Sequence, residues 1–557
     1  MADLPQPVEN PPKLVRTDLR EMLDAGKLPL VQRDRANDEV IQKLIDSHPI
    51  FKGLPLPREI PISERYAEDH PLRSLIVGDR NISHRDVMAL IGSSELELNI
   101  SAYTTGTVPA ADNSHHEGAA TFSTEYAEHA WTRDISIVAI ALRRGGFEAE
   151  AASVVKSLLE FYADSAQRSR FVKYVLADTA TAKEWYGKGT NIPHIKAKIE
   201  DGKMAPFEQW GHQQLDAMGM WLWTTFRAAN VGAVDLHQLN AQFASEINPN
   251  EANDSVLGLA IKFLNRIEFW DQEDFGPWED KMFSKRGTSI GICVAALEQA
   301  QQFFESHPHG YNALPNGPDD AAHFYLKLEL ENALDYGRQA LSERIPNDGG
   351  LAVENDHWQS DAALSFLLYP FTPTLEASQE AALLRRIFER DESGEFKRIG
   401  ELGISRRDED DYVGQDYIYN PDGKGMFSDM DVPGYKPAEW TLFDGLLCGY
   451  FARKYIDSIR DSGLDGEDTL SLLYAQRFFK RMATQFTKED DEFTLVTDGT
   501  KITTAKGVIP EAYFWDTTED RWRANHNTPL LMANAAHALA LERMVHALSV
   551  HEALHRI

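Results

Sequence analysis

The sequence predicts an all-α fold made of six helical hairpins. From about residue 130 onward the dominant hydrophobic period is that of an amphipathic helix, as at Leu215, Met218, Leu222 and Phe226. About twelve segments with this period follow one another, and consecutive helices joined by loops pair as hairpins. The segments cover residues 134–145, 147–163, 212–229, 234–246, 253–266, 286–305, 321–344, 358–369, 377–390, 438–457, 467–486 and 527–548.

Residues 1–125 are predicted to form an N-terminal arm and cap, and residues 126–557 the helical domain. Prolines are frequent before residue 60, where one short helical pattern covers 35–47. The alternating stretch SELELNISAY predicts a single strand. Within the helical domain, the longest connections are 266–285, 391–437 and 487–526, and loops of that length in a compact domain are usually functional.

The composition indicates a large soluble globular protein. The chain has 557 residues, of which 43% are hydrophobic, and 87 Asp and Glu against 56 Lys and Arg give a formal charge of −31. Such a charge repels phosphate backbones and anionic lipids, so neither nucleic acid nor a membrane is an expected partner.

Cys293 and Cys448 lie in apolar helical stretches and are predicted to be buried thiols. We expect a cytoplasmic location, because no basic segment followed by an apolar one begins the chain.

Four stretches place charged and aromatic residues together where a loop meets a helix: WTRD at 131–134, WGHQQLD at 210–216, GPWED at 276–280 and IPEAYFWD at 509–516. Taken singly, Asp134 is a helix cap, His212 a surface histidine and Glu279 a solvated charge. A tryptophan and a proline beside Glu279 would desolvate its carboxyl, raise its pKa and suit it to act as a general acid. Aromatic rings beside carboxylates are also typical of sugar sites, because pyranose rings present apolar faces and hydroxyls.

In this order, the stretches resemble glycoside hydrolase family 15, the glucoamylase family, over residues 125–548. The resemblance implies an (α/α)6 barrel. It also implies that Arg133 and Asp134, after Trp131, bind the terminal glucose, and that Trp210 and His212 shape the sugar site. No metal or organic cofactor is implied, and the substrate is an oligosaccharide.

The same resemblance assigns the reacting groups. Glu279 becomes the general acid and Glu511 the general base, with the carboxyls roughly 6.5–9.5 Å apart as inverting enzymes require. The remaining substrate-binding residues that the motifs imply are Trp278 and Asp280 in GPWED, Arg406 and Tyr412 in SRRDEDDY, and Trp440 in AEWTLFDGLLCGYF.

The predicted activity is exo-acting, inverting hydrolysis that releases β-D-glucose from the non-reducing ends of short α-1,4- or α-1,6-linked gluco-oligosaccharides. The chain departs from the family pattern at Ala127, Met532 and Asp280, where tyrosine, tryptophan and glutamate are usual. These changes favour a substrate other than starch. The acidic stretches 408–411 and 420–431 could hold Ca²⁺, although solvated loops are the simpler interpretation.

Two other functions are compatible with the sequence. WGHQQLDAMGMWLW and AEWTLFDGLLCGYF also resemble the glucoamylase-like part of phosphorylase kinase regulatory subunits, which implies a non-catalytic carbohydrate-binding or regulatory protein. Alternatively, an enzyme on the same barrel could act on uronic or otherwise modified sugars. A basic pocket formed by Arg406, Arg407 and Lys281 would be the signature of that activity.

Overall fold

A computed structural model provides the structure of the chain. It describes residues 13–18, 38–65, 73–76, 81–92, 98–112, 125–236, 255–278, 283–306, 320–348, 361–407, 436–462, 468–488, 491–494, 501–516, 520–525 and 527–555. The described helices are α1 (Asp38–Ser47), α2 (Arg73–Ile76), α3 (His84–Ile91), α4 (Glu125–Glu128), α5 (Thr132–Arg144), α6 (Glu148–Ala163), α7 (Ser165–Leu176), α8 (Thr179–Gly187), α9 (Leu215–Asn230), α10 (Val256–Ile267), α11 (Gly287–Ser306), α12 (Asp320–Arg344), α13 (Ser365–Leu368), α14 (Ala377–Ile387), α15 (Leu442–Ser462), α16 (Thr469–Ala483) and α17 (Leu531–Leu554).

Six of the described helices form a closed inner ring. In chain order α5, α9, α11, α13, α15 and α17 each pack against the next, and α17 packs against α5. Helix α5 illustrates why these helices lie inside: from Ile135 to Leu142 every residue is buried and all but Ser136 are apolar, so the helix must be covered on every side. The inner ring confirms the predicted (α/α)6 barrel.

Two glycines allow neighbouring inner helices to approach closely. A Cβ atom added to Gly219 on α9 would lie 2.9 Å from the backbone nitrogen of Cys293 on α11. At Gly445 on α15, an added Cβ would lie 2.9 Å from the carbonyl carbon of Ala536 on α17. Contacts this short leave no room for a side chain, so glycine is required at both positions.

The outer layer packs on this ring. Helices α6, α12, α14 and α16 pack on α5, α11, α13 and α15, while α10 packs between α7, α8 and α12. Helix α3, from the region predicted as an arm, packs on α17. The division of the chain at residue 125 stays a prediction, but α3 shows that residues before it contribute to the outer layer.

The described strands form four small antiparallel sheets at the edges of the barrel. Strand β1 (Leu14–Asp18) pairs with β2 (Asn99–Tyr103), and β7 (Glu492–Thr494) with β8 (Lys501–Thr503). The other two sheets have three strands each. They are β3 (His129–Trp131), β4 (Lys196–Glu200) and β5 (Lys203–Pro206), and β6 (Glu439–Trp440), β9 (Ala512–Asp516) and β10 (Arg521–Ala524).

Most predicted helices are confirmed with shifted ends. The segment predicted at 358–369 is much shorter, because a 3-10 turn at Ala362–Leu364 leads directly into the four-residue α13. Helices α3, α7 and α8 were not predicted, and the arm has more than its one predicted helix. The helix predicted at 234–246 lies almost entirely outside the described residues.

Candidate active site

The predicted site residues that the structure describes gather at one end of the barrel, where the inner helices begin. Trp131 ends β3 immediately before α5, and the WGHQQLD stretch runs into α9. Trp440 ends β6 just before α15. Glu511 immediately precedes β9, the strand that pairs with β6. Its backbone carbonyl oxygen accepts a hydrogen bond from the backbone nitrogen of Thr441 at 3.3 Å. Side chains from distant parts of the sequence therefore face one end of the ring.

Arg133 joins three of the four motifs. Its Nη1 donates a hydrogen bond to the carbonyl oxygen of Pro277 in GPWED. The same nitrogen lies 3.8 Å from the Asp216 carboxylate of WGHQQLD, and Nε lies 3.7 Å from the carboxylate of Asp134. All three charged side chains are buried, so the guanidinium is held in a fixed position between two carboxylates.

Asp274 lies beside this group and was not identified from the sequence. Its Oδ2 accepts hydrogen bonds from the backbone nitrogen of Leu215 at 2.9 Å and from the Ser289 hydroxyl at 2.7 Å. Burial, reinforced by the nearby Asp216 carboxylate, raises the pKa of Asp274 to about 7. Asp274 thus anchors the beginning of α9 while carrying a proton more readily than an ordinary carboxyl.

The Trp278 indole is held both by a hydrogen bond from its ring nitrogen and by contacts with two aromatic rings. Its Nε1 donates a hydrogen bond of 2.8 Å to Asp361, which also caps the turn before α13. The indole ring centroid lies 5.4 Å from those of Trp440 and Phe443. Burial raises the pKa of Asp361 to about 7. The general acid predicted next to Trp278, Glu279, and its neighbour Asp280 lie outside the described residues.

Arg406 faces the same aromatic group. Its guanidinium carbon is 4.7 Å from the ring centroid of Trp440 and 5.9 Å from that of Trp278. The attraction between the guanidinium cation and the two indole rings holds the Arg406 side chain against them. The planar guanidinium group presents its N–H donors in a rigid fork. Tyr412, predicted from the same motif, lies outside the described part of the chain, as do the two candidate Ca²⁺ stretches.

Glu511 is buried, with 6% of its surface exposed, and is held by two amides. Its Oε2 accepts hydrogen bonds from Nδ2 of Asn525 at 2.7 Å and Nδ2 of Asn527 at 2.8 Å. Burial raises the pKa of Glu511, while the two amides, Arg406 and Arg133 oppose that rise. No donor from the described residues reaches Oε1. Oε2 is therefore fixed by the two amides.

Trp131 and Trp210 surround a buried lysine. Nζ of Lys196 lies 3.6 Å from the ring centroid of Trp210 and 4.3 Å from that of Trp131, because β3 and β4 pair Trp131 with Lys196. Tyr126 packs on Trp131 at 4.9 Å, one position before Ala127, where the family usually has tyrosine. Lys196 was not predicted as a site residue, because nothing in its neighbourhood is unusual for a strand.

His212 is oriented by the backbone. Nδ1 accepts a hydrogen bond from the Ile195 backbone at 3.2 Å, and Nε2 lies 2.7 Å from the carbonyl oxygen of Phe207. Its ring stacks on His194 with the centroids 3.9 Å apart. Burial lowers the pKa of His212 to about 3, so the ring is neutral near pH 7. Both ring nitrogens are thereby engaged by the backbone.

The model of the family described as glycosyl hydrolases family 15 matches residues 83–378, which is more than half of the 557-residue chain. The chain belongs to this family. Three of the four motifs lie inside the matched residues, whereas Arg406 and Glu511 follow them. Membership of family 15 makes the chain a glycoside hydrolase, which disfavours a purely non-catalytic protein.

Solved structures similar to this family 15 chain include a glycosidase, with 18% identity and a TM-score of 0.48, over 79% of this chain and 92% of that one. A glucoamylase from Saccharomycopsis fibuligera has 15% identity and a TM-score of 0.45, over 80% and 90% of the two chains. A bacterial glucoamylase complexed with acarbose has 15% identity and a TM-score of 0.46, over 83% and 55%. No curated protein sequence gives a significant match.

The part of the chain that the structure describes contains neither a membrane-spanning helix nor a cluster of metal ligands. Within those ranges, none of the helices combines the length and the apolar character needed to cross a membrane. Nor do His, Cys, Asp and Glu side chains in the same ranges form a group of three or more that could hold a metal ion.

Proposed function

We propose that this family 15 chain is an exo-acting, inverting α-glucoside hydrolase that releases β-D-glucose from short α-1,4- or α-1,6-linked gluco-oligosaccharides. The observation that carries the proposal is the environment of Glu511. A buried carboxylate that is fixed through one oxygen by Asn525 and Asn527 can accept a proton from water at the other oxygen. Its raised pKa makes it a stronger base than an exposed glutamate.

Glu279 completes the reaction as the proton donor to the glycosidic oxygen. The hydrogen bond between Trp278 and Asp361 supports this role, because it fixes the residue that precedes Glu279. Protonation of the leaving oxygen by Glu279 and deprotonation of the attacking water by Glu511 then occur in one step, and the anomeric configuration inverts. Both proton transfers balance without a metal or organic cofactor.

The sugar ring is bound by the groups around these two acids. Arg133 and Asp134 bind the hydroxyls of the terminal glucose, and Arg406 binds those on the side of Trp278 and Trp440. The partly exposed indole of Trp210 offers apolar surface to the pyranose rings, and the buried Trp131 supports it edge-on. We assign to His212 the positioning of the loop that carries Trp210, because its two ring nitrogens are engaged by the backbone.

Proton NMR of the purified protein with maltose, isomaltose, trehalose and panose tests the proposal. From maltose, isomaltose and panose we expect the non-reducing glucose to appear as the β anomer, whereas inverting cleavage of trehalose gives α- and β-glucose in equal amounts. The rate should fall by roughly 10²–10⁴ in Glu511→Gln and in Glu279→Gln, as for other general acids and bases. Glu184→Gln, an exposed change on α8, serves as the matched control and should leave the rate unchanged. If α-glucose appears first, the mechanism retains configuration and the proposal fails.

A second candidate is hydrolysis of a sugar that carries a carboxylate. The observation in its favour is that Arg406 and Arg407 are both buried beside Asp361, whose backbone forms a β-bridge with that of Arg407. Lys281, the third member of the predicted basic pocket, lies outside the described residues. Release of 4-nitrophenol from the α-D-glucuronide but not from the α-D-glucoside would favour this candidate.

A further inference from the structure

A groove runs along the outer helix α12, on the side that faces α10 and the turn after it. Four side chains on this helix, spaced four residues apart, form one row: Leu328, Asn332, Tyr336 and Ala340. The first two line a pocket of about 520 Å³ and the last two a pocket of about 310 Å³. Both volumes lie in the range of small-molecule sites, about 300–1,000 Å³. We call the two pockets together the outer groove.

Tyr336 and Trp270 form an aromatic platform in the smaller pocket of the outer groove. Their rings stack with the centroids 5.2 Å apart and an angle of 16° between the planes. Tyr336 nevertheless keeps 51% of its surface exposed, so part of its ring remains open to a ligand. Leu328, at the other end of the row, is 43% exposed. Partly exposed rings of this kind suit the apolar C–H faces of a pyranose.

The charges of the outer groove are balanced. Four of the five acidic residues that line it form ion pairs: Glu268 with Lys183 at 2.5 Å, Asp271 with Lys285 at 2.5 Å, Glu329 with Arg266 at 4.0 Å and Glu331 with Lys327 at 3.6 Å. The fifth, Glu343, lies in the pocket that Arg344 also lines. The groove therefore carries little net charge, although the formal charge of the chain is −31. This balance favours a neutral ligand over an ion.

Side-chain amides and carboxylates supply hydrogen bonds along the outer groove. In the smaller pocket, Gln339 donates to Glu343 at 2.9 Å. In the larger one, Asn332 donates to Asn265 at 2.7 Å, and Asn265 donates to Glu329 at 2.9 Å. Amide groups both donate and accept, as the hydroxyls of a sugar require of their partners. Such polar groups beside exposed rings fit an elongated ligand rich in hydroxyls better than an apolar protein surface.

The smaller pocket adjoins the connection 266–285, which also carries Trp278. Asp271 lines the pocket and is paired with Lys285 at the other end of this connection. Arg344, which lines the same pocket, donates from Nη1 to the carbonyl oxygen of Lys285 at 3.0 Å. The outer groove thus ends beside the connection that contributes Trp278 to the candidate active site.

We propose that the outer groove is a second binding site, which takes an α-linked gluco-oligosaccharide. The choice of sugar rests on the proposed function, while the shape, the balanced charge and the exposed rings support the site itself. From Leu328 to Arg344 the groove is about 24 Å long, at 1.5 Å per helical residue, so several pyranose rings can lie along it with one of them stacked on Tyr336. A longer glucan bound there keeps its non-reducing end near the active site and raises the local concentration of such ends.

Isothermal titration calorimetry with β-cyclodextrin and cycloisomaltoheptaose tests the second site. These rings of α-1,4- and α-1,6-linked glucose have no non-reducing end, so an exo-acting pocket cannot bind them as substrates. We expect at least one of them to bind wild type. Tyr336→Ala should lose about tenfold or more in affinity, as truncation of an aromatic anchor does at other binding surfaces. Tyr336→Phe keeps the ring and should bind almost as tightly as wild type.

Val231→Ser is the matched control, because Val231 is 44% exposed but lines neither pocket. It should bind the cyclic sugars as wild type does. Gln339→Ala, another exposed change in the smaller pocket, replaces Tyr336→Ala if the latter does not fold. Equal affinity in wild type and in the groove variant would overturn the proposal, and so would a failure of both sugars to bind wild type at about 10 mM, above the millimolar range of weak sites.

Glu511→Gln distinguishes a failure of the second site from a failure of the proposed function. This variant should bind the cyclic sugars as wild type does, because their binding needs no proton transfer. Loss of binding in Glu511→Gln would place the cyclic sugars in the active site and contradict a separate groove. If wild type hydrolyses no α-glucoside but binds a cyclic sugar through Tyr336, the catalytic proposal fails and the second site stands.

Discussion

Glu511 is held through Oε2 by two amides that donate to its charged form. Removing a donor therefore destabilises the carboxylate and raises the pKa of Glu511. Because a general base must be ionised, we expect Asn527→Ala to move the acidic limb of the kcat/KM profile to higher pH. At acidic pH, where Glu511 is mostly protonated, kcat/KM of the variant should be about tenfold or more below that of wild type, since a hydrogen bond to a charged group contributes about 1.5–3 kcal/mol.

Asn534→Ala provides the control for this change. Asn534 is also buried near the start of α17, but it donates to the backbone oxygen of Asn99 at 3.0 Å and not to Glu511. In Asn534→Ala the acidic limb of the kcat/KM profile should lie at the same pH as in wild type, even if this variant is less stable. An unshifted limb in Asn527→Ala would show that Glu511 is not the group whose ionisation limits the reaction at low pH.

The sequence allowed residues to be predicted where a motif fixed their type. Trp131, Arg133, Trp278, Arg406 and Glu511 were named this way, and the structure brings them to one end of the barrel. Asn525, Asn527, Asp274 and Lys196 were missed, because their importance depends on which distant side chain they contact. No local pattern indicates that Asn525 and Asn527 converge on Glu511, or that strand pairing places Lys196 beside Trp131.

Gly219 determines how closely the helices α9 and α11 can pack. A Cβ at this position would lie 2.9–3.1 Å from the backbone of Cys293 and 3.0 Å from Ile292. We expect Gly219→Ala to destabilise the protein by about 1–3 kcal/mol, as other overpacked cores do. Gly187→Ala on α8 is the control, because an added Cβ there meets nothing within 4 Å. Thermal unfolding of the two variants measures the difference, and equal melting temperatures would contradict the packing argument.

The helical elements were largely predictable, because the inner helices other than the four-residue α13 are long and strongly apolar. Shorter elements were not: α7 and α8 lie between predicted helices, and their amphipathic patterns are weak. Strand β6 was read as the beginning of α15, because EW precedes an apolar run. Its pairing with β9 is a long-range contact, and only the folded chain shows that this pairing holds Trp440 next to Glu511.

Arg481 joins the N-terminal arm to the barrel. This fully buried side chain donates to Asp444 on α15 at 2.6 Å, to the carbonyl oxygens of Gly400 and Gly403 at 2.7 and 2.8 Å, and to that of Pro61 in the arm. Arg481→Met would leave Asp444 buried without its cation, and we expect a loss of about 3–5 kcal/mol. Thermal unfolding would measure the loss. Adding Asp444→Asn should recover part of the stability, whereas a single variant as stable as wild type would contradict the role of Arg481.

Buried carboxyls should make the stability of the whole molecule depend on pH. Burial raises the pKa of Asp274, Asp361 and Glu439 to about 7. In the unfolded chain these groups ionise at their usual, lower pKa, so the folded state holds more protons between the two values. The stability they contribute is present at low pH and is lost as the pH rises through about 7. We therefore expect the melting temperature to fall between about pH 5 and about pH 8.

Asp274→Asn separates this effect from the general repulsion of an acidic surface. The amide oxygen can still accept from the Leu215 backbone and the Ser289 hydroxyl, but it cannot ionise beside Asp216. The fall in melting temperature should therefore be smaller than in wild type, while Asp335→Asn, an exposed change on α12, should leave it unaltered. If the melting temperature of Asp274→Asn fell with pH as steeply as that of wild type, Asp274 would be ionised in the folded wild-type protein. Arg286, which opposes the rise in its pKa, would then outweigh burial and Asp216.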